Sequence, residues 1–361
     1  MEASFIFKEF FDRIIDTNKY ESRSSKNFID SSVREEYLFN SKINGIEETD
    51  LILLIGTNPR FEATIVNARI RKTYLNNNTK IFSLNDIGDL TYPYQSLDGK
   101  TQTIKNIIEN KNEISKDILA SKKPLIILGE SFLKSKSANY LFNSLKEFLF
   151  KNNKFTNDWN PLNILSTDAA TVGNFDLDII DENNDLIKDL NENKFEIIYL
   201  LGRDNLNFNK KNEFIIYQGS HGDKGAEIAD IILPGAAYTE QSAHYTNLEG
   251  KIQKAFKASY PPGDAKEDWQ VINEIAETIN NRKLFNDKEE LKSSMFNYLN
   301  LKKEKQKSPI IKNVDHNEFE NENLKIEFKD YYFSNVIARA SKTMLDCNNS
   351  KLNIQLTGTE G

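Results

Sequence analysis

The sequence predicts a doubly wound, mostly parallel α/β sheet, followed by a charged linker and a C-terminal helical arm. Two observations point to that class. Short apolar runs bounded by polar turns recur at Leu51–Ile55 (LILLI), Lys80–Leu84, Pro124–Leu128 (PLIIL), Glu196–Leu201 (EIIYLL), Glu213–Tyr217 and Ala229–Leu233. Unbroken Ile/Leu runs of this kind suit strands buried on both faces, as in parallel sheets. Most of the runs are also separated by segments long enough for the crossover helix that a parallel neighbour needs.

In chain order, residues 1–45 read as a lead-in, 46–280 as the α/β body, and 281–361 as the charged linker and arm. The start, MEASFIFKEFFDRIID, carries Glu2 and Glu9 where a transit peptide is rich in Arg, and it lacks the apolar core of a signal peptide. After the first strand, Phe61, Ile65, Ala68 and Leu75 fall on one side of a helix, and Ala63, Val66, Ile70 and Tyr74 on another. A helix apolar on two sides is expected between the sheet and a further neighbour. The link from Gln218 to Asp230 is short for a crossover, so the direction of the strand after it stays open. Beyond Pro261-Pro262-Gly263, Asp264 can cap a helix with Glu267 in the capping-box position and Trp269, Ile272, Ala276 and Ile279 along one face. From about Asn280 the texture turns charged and poor in aromatics, as in a solvated linker, until Tyr331-Tyr332-Phe333 and Val336-Ile337-Ala338 restore apolar character.

Composition narrows the function classes. With 361 residues, 39% hydrophobic and 11% aromatic, the chain can fill one large core and an appendage. No run approaches the roughly eighteen apolar residues of a membrane span. A formal charge of -7 and a pI near 5.3 leave no broad basic surface for nucleic acid. Cys347 is the lone cysteine, and His221, His244 and His316 are scattered, so no zinc or iron-sulfur spacing exists and no metal site is expected in this chain.

Three constellations carry candidate chemistry. Gly56-Thr57-Asn58-Pro59 joins a buried strand to a helix, where N–H groups and the helix dipole collect anions; equally, Asn58 can be an ordinary N-cap with Pro59 as first helical residue. In QGSHGDKG (Gln218 to Gly225), His221 beside Asp223 can be read as a general base or as a hydrogen-bonded turn residue. The stretch ILPGAAYTEQSAHYTNLEGKIQ (Ile232 to Gln253) gathers Glu240, His244, Asn247 and Glu249, whose spacing matches no metal signature; a loop bonded to its own backbone explains the polarity as well.

Taken whole, ADIILPGAAYTEQSAHYTNLEGKIQ resembles the signature of the molybdopterin oxidoreductases, which passes from a buried strand through Leu-Pro and a Glu to Asn-x-Glu-Gly-Arg-x-Gln. Within that group it is most similar to the large iron-sulfur subunits of respiratory complex I, for Ser242-Ala243-His244-Tyr245 stands where active molybdenum enzymes show Gly-Thr. Further matching blocks follow in order: Gly45 to Leu75, DLTYPYQSL, KKPLIILGES, FIIYQGSHGDKGAEIADIILPGAAYTE, YPPGDAKEDWQVI and, near the end, FSNVIARASKTMLDC. Lys251 departs from the Arg of the pattern, which weakens any bidentate phosphate contact.

The resemblance implies a cofactor cavity lined, in active relatives, by the counterparts of these turns. In the complex I branch that cavity is expected to persist as a vestige, with Gly56, Thr57, Asn58, Pro59, Glu240, Asn247, Glu249, Gly250 and Gln253 as its candidates and no catalytic residue, cofactor or metal in this chain. It further implies a split subunit: the iron-sulfur clusters on a separate N-terminal half, flavin-containing and other peripheral-arm subunits as partners, and a place on the matrix side of the mitochondrial inner membrane complex. Two alternatives stay open, half of an active molybdenum or tungsten bis-pterin oxidoreductase and a free-standing nucleotide-binding module.

Overall fold

The computed structural model describes residues 1–23, 27–181, 186–204, 209–305, 318–327 and 330–357; His316 and the most charged part of the expected linker lie outside them. Five strands form the main sheet: β1 (Leu51–Ile55), β2 (Lys80–Ser83), β3 (Gln95–Ser96), β4 (Pro124–Gly129) and β5 (Leu162–Leu165). All pair in parallel, in the order β3-β2-β1-β4-β5. Along β1, Leu51, Leu53 and Ile55 enter the core on one face and Ile52 and Leu54 the core on the other, so every residue of the strand is buried. The helix Ala138–Lys151 covers the first face with Leu141, Leu145 and Leu149, and Thr64–Asn77 covers the second with Val66 and Ile70.

The order of this sheet reverses beside β1, because β2 and β3 extend one way and β4 and β5 the other. Such a reversal opens a crevice at the carboxyl ends of the two central strands, the usual ligand position in open α/β sheets. The Gly56–Pro59 turn leaves β1 at that place.

The remaining apolar runs do not join this sheet. β6 (Ile197–Leu201), β7 (Phe214–Gly219) and β8 (Ile231–Pro234) form a separate parallel sheet in the order β6-β7-β8, which settles the direction of β8. The expectation of burial on both faces holds for β1 and β4 but not here, for Ile197 of β6, Phe214 of β7 and Ile231 and Ile232 of β8 are exposed. β9 (Ala243–Thr246) and β10 (Ile252–Ala255) make an antiparallel hairpin from the stretch that carries the family pattern.

The ends of the chain depart from the expected lead-in and linker. The helix Glu2–Phe10 packs Phe5, Ile6 and Phe10 against Ile272 and Ala276, and against Leu291, Met295 and Leu299 of a helix spanning Lys288–Lys305. The charged texture past residue 280 thus begins with a docked helix whose buried residues are widely spaced. The helix Asp268–Asn280 starts later than Asp264 would allow: its N-cap is Glu267, which forms a capping box with Gln270. The helix after β1 breaks at Ala63, and its second apolar side, Phe61, Ile65 and Leu75, is exposed in this chain where a neighbour was expected. The helical arm is present as Val336–Ala340 and Lys342–Thr357. Among the described residues no helix is long and apolar enough to cross a membrane.

Candidate functional site

At the β1 turn, Gly56 has φ +64°, and a Cβ there would overlap the backbone nitrogen of Phe132. A Cβ on Gly129, at the end of β4, would overlap the Gly56 carbonyl oxygen. The two strand ends therefore interlock at the reversal point, and only glycine permits it. Asn58 is the N-cap, its Oδ1 accepting from Arg60 N at 3.2 Å, while its Nδ2 donates to Ile87 O at 2.9 Å. Pro59 is the first helical residue and is buried.

The anion position of this helix is taken by the chain itself. Asn58 N donates to Glu62 Oε2 at 2.6 Å, and the buried Thr57 hydroxyl donates to the same oxygen. Burial pushes the Glu62 carboxyl above its ordinary value, offset only in part by the bonds from Thr57 and Asn58, and Glu130 adds a like charge nearby. Across the crevice, Glu130 Oε1 accepts from Thr167 N at 2.8 Å and Thr167 Oγ1 at 2.7 Å. Two internal carboxylates thus stand at the crevice, at the ends of β1 and β4.

The hairpin loop is equally engaged. Asn247 Oδ1 accepts from Glu249 N at 3.1 Å and Lys251 N at 2.9 Å, closing the turn on itself. Gly250 has φ +78°, and a Cβ on it would lie 2.7 Å from the Arg34 guanidinium. Arg34 Nη2 donates to Gly250 O at 2.7 Å and, with Nε, pairs both oxygens of the buried Asp176 at 2.9 Å; Tyr37 donates its hydroxyl to Asp176 at 2.9 Å. Glu249 Oε1 accepts from Ile43 N at 2.6 Å, and Phe39 N donates to Leu248 O at 2.8 Å. The loop is a clasp over residues 34–43.

Glu240 caps a local turn, accepting from Ala237 N at 3.0 Å, and Gln253 is exposed on β10, opposite Tyr245. His244 points elsewhere: its ring Nδ1 meets Glu2 Oε1 at 2.5 Å and its backbone N donates to Glu2 Oε2 at 2.9 Å. Burial alone would raise Glu2; the Met1 ammonium and the His244 bonds outweigh it and hold the carboxyl below its ordinary value. Glu240, His244, Asn247 and Glu249 serve four different partners, and no group of three or more metal-ligating side chains exists among the described residues.

His221 is exposed, and its ring Nδ1 lies 2.9 Å from the Ser220 hydroxyl. Asp223 does not orient it. That carboxylate caps the short helix Lys224–Glu227 and accepts from Arg339 Nε of the C-terminal arm at 2.6 Å, so the general-base reading finds no geometry. Sequence reasoning missed Asp268, which accepts from Gln218 Nε2 at 2.9 Å and Gln241 Nε2 at 3.2 Å and ties the second sheet to the loop before β9. Burial pushes its carboxyl up, with the two amides offsetting part of the rise. It was also silent on Arg34 and Asp176, since no local pattern marks side chains that meet across 142 positions.

The sequence that carries these turns is similar to known proteins. A family model described as molybdopterin oxidoreductase matches residues 1–278. The chain belongs to the molybdopterin oxidoreductase family. A second model, which describes the C-terminal region of an NADH-ubiquinone oxidoreductase subunit, matches residues 295–347. The NADH-ubiquinone oxidoreductase 75 kDa subunit of Reclinomonas americana is 39% identical over 87% of this chain and 47% of its own length. The mitochondrial 78 kDa subunit of Candida albicans is 36% identical over 87% of this chain and 45% of its own. The corresponding subunit of the NADH-quinone oxidoreductase of Rickettsia bellii is 34% identical over 99% of this chain and 52% of its own. The chain spans about half the length of these relatives.

The residues present do not fit the pterin dinucleotide that the family name implies. An anionic dinucleotide needs free N–H donors and cations at the β1 turn. Here the Asn58 N–H is already donated to Glu62, and Glu62 and Glu130 oppose negative charge. The molybdopterin-family loop, for its part, has its Asn and Glu acceptors committed to the backbone.

Proposed function

We propose that the chain is a non-catalytic structural subunit of the peripheral, matrix-side arm of mitochondrial complex I. On this reading it belongs to NADH:ubiquinone reductase (H+-translocating) without an active site of its own. It supports the cluster-bearing part of that assembly beside the flavin-containing subunits, so that electrons pass from NADH through that part towards ubiquinone. The observation that carries the reading is the self-occupied anion position: Glu62 closes the Asn58 N–H where a phosphate would be bound. The names of the relatives agree with it, three being subunits of NADH-ubiquinone or NADH-quinone oxidoreductase.

The test is native purification from the source, with mass spectrometry of the co-purifying chains and elemental analysis. A large assembly that contains a cysteine-rich, ferredoxin-like chain and lacks molybdenum and tungsten is the expected result. Family membership keeps one other reading in play, half of a molybdenum or tungsten bis-pterin enzyme. Stoichiometric molybdenum or tungsten would establish that one instead.

A further inference from the structure

We infer that Tyr238, Phe256 and Tyr260, with Lys251, Lys254 and Lys257, form a docking surface for a partner protein that presents carboxylates around an apolar centre. The three rings are 53%, 74% and 76% exposed. A single exposed aromatic is unremarkable in a soluble chain, but these rings sit on two loops pinned together where Ala258 N and Ser259 N both donate to Thr239 O, at 2.8 and 3.2 Å. The lysines accompany the rings: Lys254 Nζ lies 4.8 Å from the Phe256 ring centre and Lys257 Nζ 4.4 Å from that of Tyr260.

Charge chooses the occupant. From Gly250 to Gly263 the chain has three lysines and no acid, although the whole chain carries -7. Among the described residues, no carboxylate pairs with any of these lysines, whereas Lys266 just beyond them pairs with Glu274 at 2.7 Å. A basic, aromatic ridge on an acidic chain is complementary to an acidic protein surface. A second copy of this chain, docked across a two-fold axis, would set the same lysines against each other. Three lysines are also few for nucleic acid, whose binding rests on many neutralised phosphates.

The ridge is held ready. β10 is registered on β9, with Lys254 opposite His244, and His244 is anchored on Glu2. The backbone that carries Lys254 is therefore set before docking, and Tyr and Phe, with two side-chain torsions each, are groups enriched in protein interfaces. The inference rests on the proposed reading only in that the chain works inside an assembly.

The experiment treats the purified native assembly with a carbodiimide, which joins amines to carboxylates in contact, and compares amine acylation of the assembly with that of the released chain. Expected are links from Lys254 or Lys257 to Asp or Glu of a different polypeptide, and acylation of all three lysines slowed several-fold in the assembly. The inference is overturned if the lysines react equally fast in both, if the links run only to another copy of this chain, or if nuclease treatment alone frees them. An assembly with complex I composition and freely reacting lysines overturns the docking surface alone. Protected lysines in a molybdenum-containing assembly would uphold it and overturn the complex I reading.

Discussion

Glu62 Oε2 lies 2.6 Å from the Asn58 backbone nitrogen, so the helix that leaves β1 is closed by its own carboxylate. A helix start of this kind would otherwise attract an anion through its free N–H groups and dipole. Replacing Glu62 by Gln keeps an acceptor and removes a buried charge. Glu62→Gln is expected to change stability by no more than about 1 kcal/mol, in either direction, whereas Glu62→Ala leaves the Asn58 N–H and Thr57 hydroxyl without their acceptor and costs about 1–3 kcal/mol. Urea denaturation of the two variants separates these outcomes, and equal losses in both would contradict the role given to the acceptor.

Glu62 also enters the pH dependence, together with Asp268. Burial raises both carboxyls above their ordinary values of 4.5 and 3.8, so each binds its proton more tightly folded than unfolded. Their contribution is complete below those ordinary values and declines as pH rises through the folded ones. Glu2, held low, acts in the opposite sense and withdraws its contribution only when the pH falls into the acid range. The stability contributed by these two carboxyls should therefore decline as pH rises above their ordinary values, and Glu62→Gln should remove the Glu62 share of that decline. A slope unchanged in the variant would show that other groups set it.

Asp176 is the buried centre of the Arg34, Tyr37 and Gly250 cluster. Removing one member of a buried, hydrogen-bonded pair leaves the other charge uncompensated, at a cost of about 3–5 kcal/mol. Asp176→Ala is expected to lose about that much, and to free residues 34–43 and the 247–251 loop to exchange amide hydrogens together. Hydrogen exchange confined to one of the two segments would mean that the clasp is not a unit.

Gly250 tests the same clasp from the other side. Gly250→Ala must accommodate φ +78° and a methyl 2.7 Å from the Arg34 guanidinium. The backbone conformation alone costs about 1–2 kcal/mol for a residue with a Cβ. A measured loss well below that range would require the loop to relax without consequence. Gly263, also at positive φ but with nothing within 4 Å of its added Cβ, is the control that bears only the backbone part.

Arg339→Ala should release the C-terminal arm from Asp223 without unfolding the body. The pair lies at 2.6 Å and is partly exposed, so the loss is modest, about 1 kcal/mol or less. Faster proteolysis within residues 331–345 at an unchanged melting temperature is the expected signature. A lowered melting temperature would show the arm to be part of the core.

What the sequence disclosed followed the range of the forces involved. β1 and β4 were legible because unbroken Ile and Leu runs announce burial, whereas β6 and β8 carry similar runs and yet leave Ile197, Ile231 and Ile232 exposed. β5 was overlooked because Asn163 interrupts its apolar pattern; that side chain is fully buried and its Oδ1 accepts from both the backbone N and the hydroxyl of Ser41 at 2.9 Å. The helix Lys288–Lys305 was hidden for a related reason, since Leu291, Met295 and Leu299 are few among its lysines, glutamates and asparagines. The Asn58 cap was readable because a cap is completed within a turn. The bond from Glu249 to Ile43 N was not, because nothing in a loop's own composition records a partner 206 positions away.

The contact of Glu2 with His244 sets an order of events during synthesis. The helix Glu2–Phe10 leaves the ribosome well before its partners His244, Ile272, Ala276, Leu291 and Met295. At about 5–20 residues per second, those partners follow after an interval on the order of 15–60 s. Until then only the nearer members of their cluster, Tyr20, Leu177 and Ile179, can cover Phe5, Ile6 and Phe10, which makes this helix a natural client for a chaperone and its full docking a late step in maturation.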